Sequence, residues 1–139
     1  MKKFLLSIIV IFSLSIAIFV FYALLNVYRK FQYQERIAEA KYRLNKIYEH
    51  QKKFYNTYKT YDLNYISEER KEYISSTKKA MYRIGTVKDF PEIIKICPDC
   101  EIAKNQFKIV AFANFDSDPD LDIFTIDSEG KLNHVSYDL

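Results

Sequence analysis

A chain of 139 residues and 16.6 kDa, 49% apolar and 28% charged with a formal net charge of +3, has room for one modest domain and excludes a two-domain enzyme. Two glycines and three prolines exclude collagen-like and low-complexity classes, while 12 tyrosines and 11 phenylalanines carry too much apolar surface for a disordered chain. The apolar residues crowd the N-terminus, so the chain is read segment by segment.

A short basic leader, residues 1–3, precedes residues 4–25, which hold no charge. Twenty-two residues of helix extend about 33 Å, enough to cross a bilayer. A secretory signal is the rival reading, but its apolar core is shorter and ends at a small-residue cleavage site, and Tyr22-Ala23-Leu24-Leu25-Asn26 offers no A-x-A pattern. The segment therefore reads as an uncleaved transmembrane anchor. Lys2 and Lys3 flank one end and Arg29 and Lys30 the other, which leaves orientation to other features.

Residues 26–61 read as an amphipathic continuation of the same helix. Ile37, Ala40, Leu44, Ile47, Phe54 and Tyr58 recur at steps of three and four, with Gln51 at the missing step. Neither glycine nor proline interrupts Met1 to Tyr65, so a single helix of more than fifty residues is expected. Its stripe is read as the face that packs on the protein's own sheet, with a subunit seam as the alternative. Residues 26–88 carry 15 basic against 7 acidic side chains and residues 89–139 carry 4 against 11. The basic positions are spread around a helix and interleaved with Glu35, Glu39, Glu49, Glu68, Glu69 and Glu72, which points to a solvated face or one meeting anionic lipid. No nucleic acid is expected as a partner. Opposite charges in the two segments also suit head-to-side packing of identical copies.

Residues 62–139 read as an α+β head. Its first part, between Asp62 and Lys79, is polar and is expected to be a loop with a short helical turn. Four strand-like runs follow at residues 80–87, 107–115, 121–127 and 131–137, the last two joined by Ser128-Glu129-Gly130. Phe107, Ile109, Ala111, Ala113 and Phe115 share one face of the second run, and Lys108, Val110, Phe112 and Asn114 the other. The fold class expected is α+β, a long membrane-spanning helix packed against a small antiparallel sheet, because neither element buries its apolar face alone.

Cys97-Pro98-Asp99-Cys100 admits redox exchange, half of a zinc site or a structural disulfide. Redox pairs sit at a helix start after a parallel strand, and no such unit is visible. Zinc needs four ligands, and only His50 and His134 remain to supply them. A loop disulfide is the reading that results, and it places the head outside the cytosol with Lys2 and Lys3 inside. Asp116, Asp118, Asp120 and Asp122 alternate just before a strand. Two readings stay open: a turn that gathers hard oxygens around calcium, the one cofactor admitted, or a solvated acidic turn whose aspartates cap backbone amides. Pro119 and the lack of a sixth-position glycine depart from an EF-hand loop. No nucleophile, base and orienting group assemble and no glycine-rich phosphate loop occurs, so an enzyme is not expected.

Glu39-Ala40-Lys41, Leu44, Ile47-Tyr48 and Phe54-Tyr55 with Tyr58 and Tyr61, after a membrane helix, resemble the type IV pilin and pseudopilin family. Tyr82-Arg83-Ile84-Gly85, the cysteine pair, and the run from Ala111 to Asp118 with Leu121 to Asp127 extend the resemblance over nearly the whole chain. It implies a non-enzymatic structural subunit or accessory component of a pilus or secretion pseudopilus. Its partners would be membrane lipid, other pilin-like subunits and assembly proteins. It also implies a single-pass protein of the bacterial inner membrane, its N-terminus cytoplasmic and its head periplasmic or in an extracellular filament. Calcium, by the same resemblance, would sit at Asp116, Asp118, Asp120 or Asp122. The alternative is a membrane-tethered extracytoplasmic thiol-disulfide or calcium-binding module. The prepilin signature is degenerate: with Phe4 in the family's phenylalanine position, Lys3 stands in place of glycine and Ile8 in place of glutamate. That departure argues against peptidase processing and N-terminal methylation, and for an uncleaved subunit that stays in the membrane.

Overall fold

The computed structural model describes residues 2–77, 80–115 and 119–136, with side chains from residue 12 onward, Thr77 excepted. The elements are a helix α1, Lys2–Tyr58; a helix α2, Tyr65–Thr77; a strand β1, Arg83–Gly85; a 3₁₀ helix, Pro91–Lys95; and strands β2, Lys108–Ala113, β3, Asp122–Asp127, and β4, Leu132–Ser136. The chain divides into two units, residues 1–37 and residues 38–139.

In the first unit α1 runs without interruption through the apolar segment, as the absence of glycine and proline requires. Its large side chains are exposed, Phe12 at 68% and Phe19 at 75% among them. In the second unit the same helix turns one face inward: Ala40, Leu44, Ile47 and Gln51 are fully buried. The helix stops at Tyr58, three residues before the expected end, where Lys59 takes a left-handed conformation at φ 56° and its N–H bonds the Tyr55 carbonyl at 2.8 Å. Gln51, the polar step in the stripe, explains the reversal that follows. Its amide donates to the Asp62 carbonyl at 2.7 Å and accepts from the Asp62 N–H at 2.8 Å, fastening the returning chain to the helix.

The expected loop between Asp62 and Lys79 is corrected by α2, a helix of 13 residues. Its start is set by Asn64, whose N–H bonds Asp62 Oδ1 and whose carbonyl receives the Ser67 and Glu68 N–H groups. The buried positions of this helix are Ile66 and Glu69. A helix with a carboxylate on its inward face leaves little apolar periodicity to read.

The four strands form an antiparallel meander in the order β1-β2-β3-β4. Ile84 pairs with Ala111, Ala111 with Phe124, and Phe124 with His134, which puts these four side chains on one face. On that same face Phe107 meets the rings of Tyr61 and Tyr48. Tyr48 also covers the turn after β3, where Gly130 has φ +80° and an added Cβ would lie 2.9 Å from the tyrosine ring. The opposite face is covered as well. Val110, Phe112 and Ile123 pack with Ile93, Cys97 and Cys100, flanked by Val87, Phe90 and Leu121. Residues 87–107 therefore lay a lid of 3₁₀ helix and disulfide loop over the second face, giving a head of three layers where a helix-on-sheet pair was expected. All strands are shorter than their sequence runs, β1 most of all.

Candidate functional site

Helix α1 is long and apolar enough to cross a membrane, and none of its apolar window is buried within the protein. The large apolar side chains exposed from Phe12 to Phe31 form an extended apolar surface, of the kind that marks membrane or protein contact.

Cys97 and Cys100 are joined as a disulfide and both are buried. The Cys100 carbonyl receives the Val87 N–H at 2.8 Å, so the loop continues the β1 side of the sheet. Asp99 projects outward and pairs with Lys108 at 2.8 Å, and that hydrogen bond holds its carboxyl below the ordinary carboxylate range. The two sulfurs and Asp99 lie close enough together to suggest a metal site, but sulfurs bonded to each other offer no thiolate. The histidines lie elsewhere. His50 pairs with Asp62 at 3.0 Å and stacks on Tyr65, and His134 pairs with Asp122 and stacks on Phe124.

The four aspartates separate. Asp116 and Asp118 lie outside the described residues, and Asp120 is exposed. Asp122 is fully buried at the start of β3, where it accepts hydrogen bonds from the Tyr82 hydroxyl and from His134 Nε2. Its two oxygens thus join β3 to β4 and to the approach to β1, which gives Asp122 a structural task that sequence reading missed. A histidine on the neighbouring strand β4, in register with Phe124, is the signal that could have found it.

A second polar cluster was also missed. Glu39 and Glu69 belong to the series expected on a solvated face, and that expectation is corrected: both are buried around Arg43, itself 1% exposed. Arg43 donates to Glu69 through Nε at 2.9 Å and Nη2 at 3.0 Å, to Glu39 at 3.1 Å and to the Tyr82 carbonyl at 2.9 Å. Glu39 in turn accepts the N–H groups of Met81 and Tyr82. The Tyr73 ring lies 4.2 Å from the guanidinium. Burial alone would lower the Arg43 pKa, but the bonds and charges of Glu69 and Glu39 outweigh it and the pKa is raised. The sequence signal is the i, i+4 placement of Glu39 and Arg43 beside the apolar Ala40-Leu44 stripe.

Asp89 forms a smaller node, accepting from the Thr86 N–H and hydroxyl and from Arg70 at 2.8 Å. Burial would raise its pKa; these donors prevail and lower it. A groove of about 350 Å³ lies where the disulfide loop meets the β3–β4 turn, lined by Glu101, Phe107, Asp127, Glu129 and Lys131 among others. Asp127 there is occupied in accepting the N–H groups of Glu129 and Lys131. No protein-family model, curated protein or solved structure matches this chain.

Proposed function

We propose that the protein is a type IV pilin-like structural subunit or accessory component of a pilus or secretion pseudopilus, anchored in a bacterial inner membrane and without enzymatic activity. The observation that carries the reading is the helix α1: one unbroken element whose first part is apolar and exposed and whose second part buries Ala40, Leu44, Ile47 and Gln51 in a head with a four-stranded antiparallel meander. An exposed apolar rod joined to a folded head suits a subunit whose rods meet in a membrane or a filament core. The thiol-disulfide alternative fits less well, because sulfurs buried against Val110 and Phe112 are shielded from an incoming thiolate. Calcium stays within the proposal as a ligand of the aspartate turn, with both oxygens of Asp122 already engaged by Tyr82 and His134.

Single cysteines at Ile16 and Phe19, cross-linked in membranes that hold the full chain, test the reading. A ladder of products beyond the dimer is expected. Monomer at every position, or recovery of the protein in the aqueous fraction, would overturn it.

A further inference from the structure

We infer that residues 24–36 form an interfacial collar that binds anionic phospholipid headgroups. Leu24, Val27, Tyr28 and Phe31 follow one another at helical steps and are exposed at 63%, 66%, 59% and 60%. At 100° per residue they occupy one side of α1, and Arg29, Lys30 and Arg36 occupy the other. Arg29 and Lys30 are exposed and take part in no ion pair among the described residues. An aromatic and aliphatic face opposite a cationic one is the pattern of a helix at the membrane surface, where rings sit at headgroup depth and cations reach phosphate.

Length fixes the depth. The 22 uncharged residues from Phe4 to Leu25 fill the hydrocarbon layer of about 30 Å, and the next five residues, Asn26 to Lys30, cross the headgroup layer of about 5–8 Å beyond it. Since α1 is unbroken from Lys2 to Tyr58, nothing lets this stretch turn away before it crosses that layer. Charge distribution agrees. Residues 1–37 hold five basic residues against one acidic, whereas residues 38–139 hold sixteen against seventeen. The positive excess of the chain thus resides in the anchor unit, where anionic headgroups are the available counter-charge. A free phosphate would account for the cations but not for the rings on the opposite face. This inference depends on the membrane-spanning part of the proposed function and stands whether or not the subunit polymerises.

The full chain has no tryptophan, so a single introduced indole reports its own surroundings. Phe31→Trp, reconstituted in vesicles of phosphatidylcholine with phosphatidylglycerol, is expected to be quenched by nitroxides near the headgroup and little by nitroxides deep in the acyl chain. Phe19→Trp should show the reverse. Nitroxide-labelled phosphatidylglycerol should be favoured over labelled phosphatidylcholine by about fivefold per cation. That preference should disappear in high salt and fall sharply in an Arg29→Gln, Lys30→Gln chain while the indole keeps its depth. Equal quenching by the two lipids, with Phe19→Trp still quenched from the acyl region, overturns the collar and leaves the anchor standing. An indole at position 31 shielded from both lipids and cross-linkable to another copy assigns the face to protein and also overturns the collar. Absence of lipid quenching at both positions overturns the anchor with it.

Discussion

Arg43 shows how one residue organises the head. It is buried with two carboxylates, and each of its partners comes from a different place: Glu39 from one turn before it, Glu69 from α2 and the Tyr82 carbonyl from the approach to β1. Burying charge in this way is costly, and removing one partner costs more than replacing the whole set. Arg43→Ala should therefore lower the unfolding free energy by about 3–5 kcal/mol, whereas Arg43→Met combined with Glu39→Gln and Glu69→Leu should recover most of that loss. Urea unfolding of the detergent-solubilised chain, followed by near-ultraviolet circular dichroism of the head tyrosines, measures both. Asp89 supplies a second prediction. Its folded pKa is depressed, so its contribution is present above the unfolded value, near 3.9, and fades as pH falls through the lower folded value. Arg70→Ala raises the folded pKa toward the ordinary one, and the acid unfolding midpoint should move to higher pH. An acid limb unchanged by this substitution would assign the depression to Thr86 alone.

Among the elements, legibility followed the apolar pattern. Helix α1 could be read because Ala40, Leu44 and Ile47 recur without a breaker, and the four strands because their apolar runs are bounded by turn residues. Helix α2 was illegible because one of its buried positions is Glu69, a residue whose partner lies 26 positions earlier on another element. The lid over Val110 and Phe112 was hidden for a related reason: a 3₁₀ helix and a tight loop have no period, and the residues that face inward, Val87, Phe90, Ile93, Cys97 and Cys100, are irregularly spaced. Of the candidate site, the disulfide was read from spacing, but the capture of Asp122 by Tyr82 and His134 needed the strand register. The lid yields a prediction at this scale. Closing a loop of four residues restricts the unfolded chain modestly, so Cys97→Ser with Cys100→Ser should cost about 2 kcal/mol. Its effect on amide hydrogen exchange should centre on residues 87–107, with β3 and β4 protected as before. Faster exchange spread evenly over the sheet would show that the bond holds the whole head.

The aspartate turn separates two roles that the sequence presented as one. Asp122 is fully buried and accepts two side-chain hydrogen bonds, while Asp120 is exposed. Asp122→Asn should lower the melting temperature of the full chain in detergent with or without calcium, because Tyr82 and His134 then share a weaker acceptor. Asp120→Asn should reduce the rise produced by millimolar calcium, which linkage sets at about 2.7 kcal/mol for a concentration a hundredfold above the dissociation constant. A melting temperature insensitive to calcium in the parent chain leaves the acidic turn as a set of backbone caps.

Over the whole molecule, charge that looked segregated along the sequence is mixed by folding. The basic segment 26–88 and the acidic segment 89–139 meet in one unit through pairs such as Arg70 with Asp89 and Arg83 with Glu92, and that unit ends almost neutral. A nearly neutral head weakens the net-charge argument for head-to-side attraction between copies. Orientation then rests on two opposed features. Arg29 and Lys30 follow the span more densely than the positive-inside rule favours for an exported head, whereas the Cys97–Cys100 bond belongs to an oxidising compartment. Disulfides form chiefly in oxidising compartments, while cations beside a span are tolerated where anionic headgroups neutralise them, so the bond should decide. Alkaline phosphatase fused after Leu139 is therefore expected to be active in intact cells, and a cytosolic reporter at the same position inactive. The parent protein trapped with a thiol-alkylating reagent before lysis should keep both cysteines unmodified. The opposite reporter pattern, together with alkylated Cys97 and Cys100, would place the head in the cytosol and remove the exported subunit from consideration.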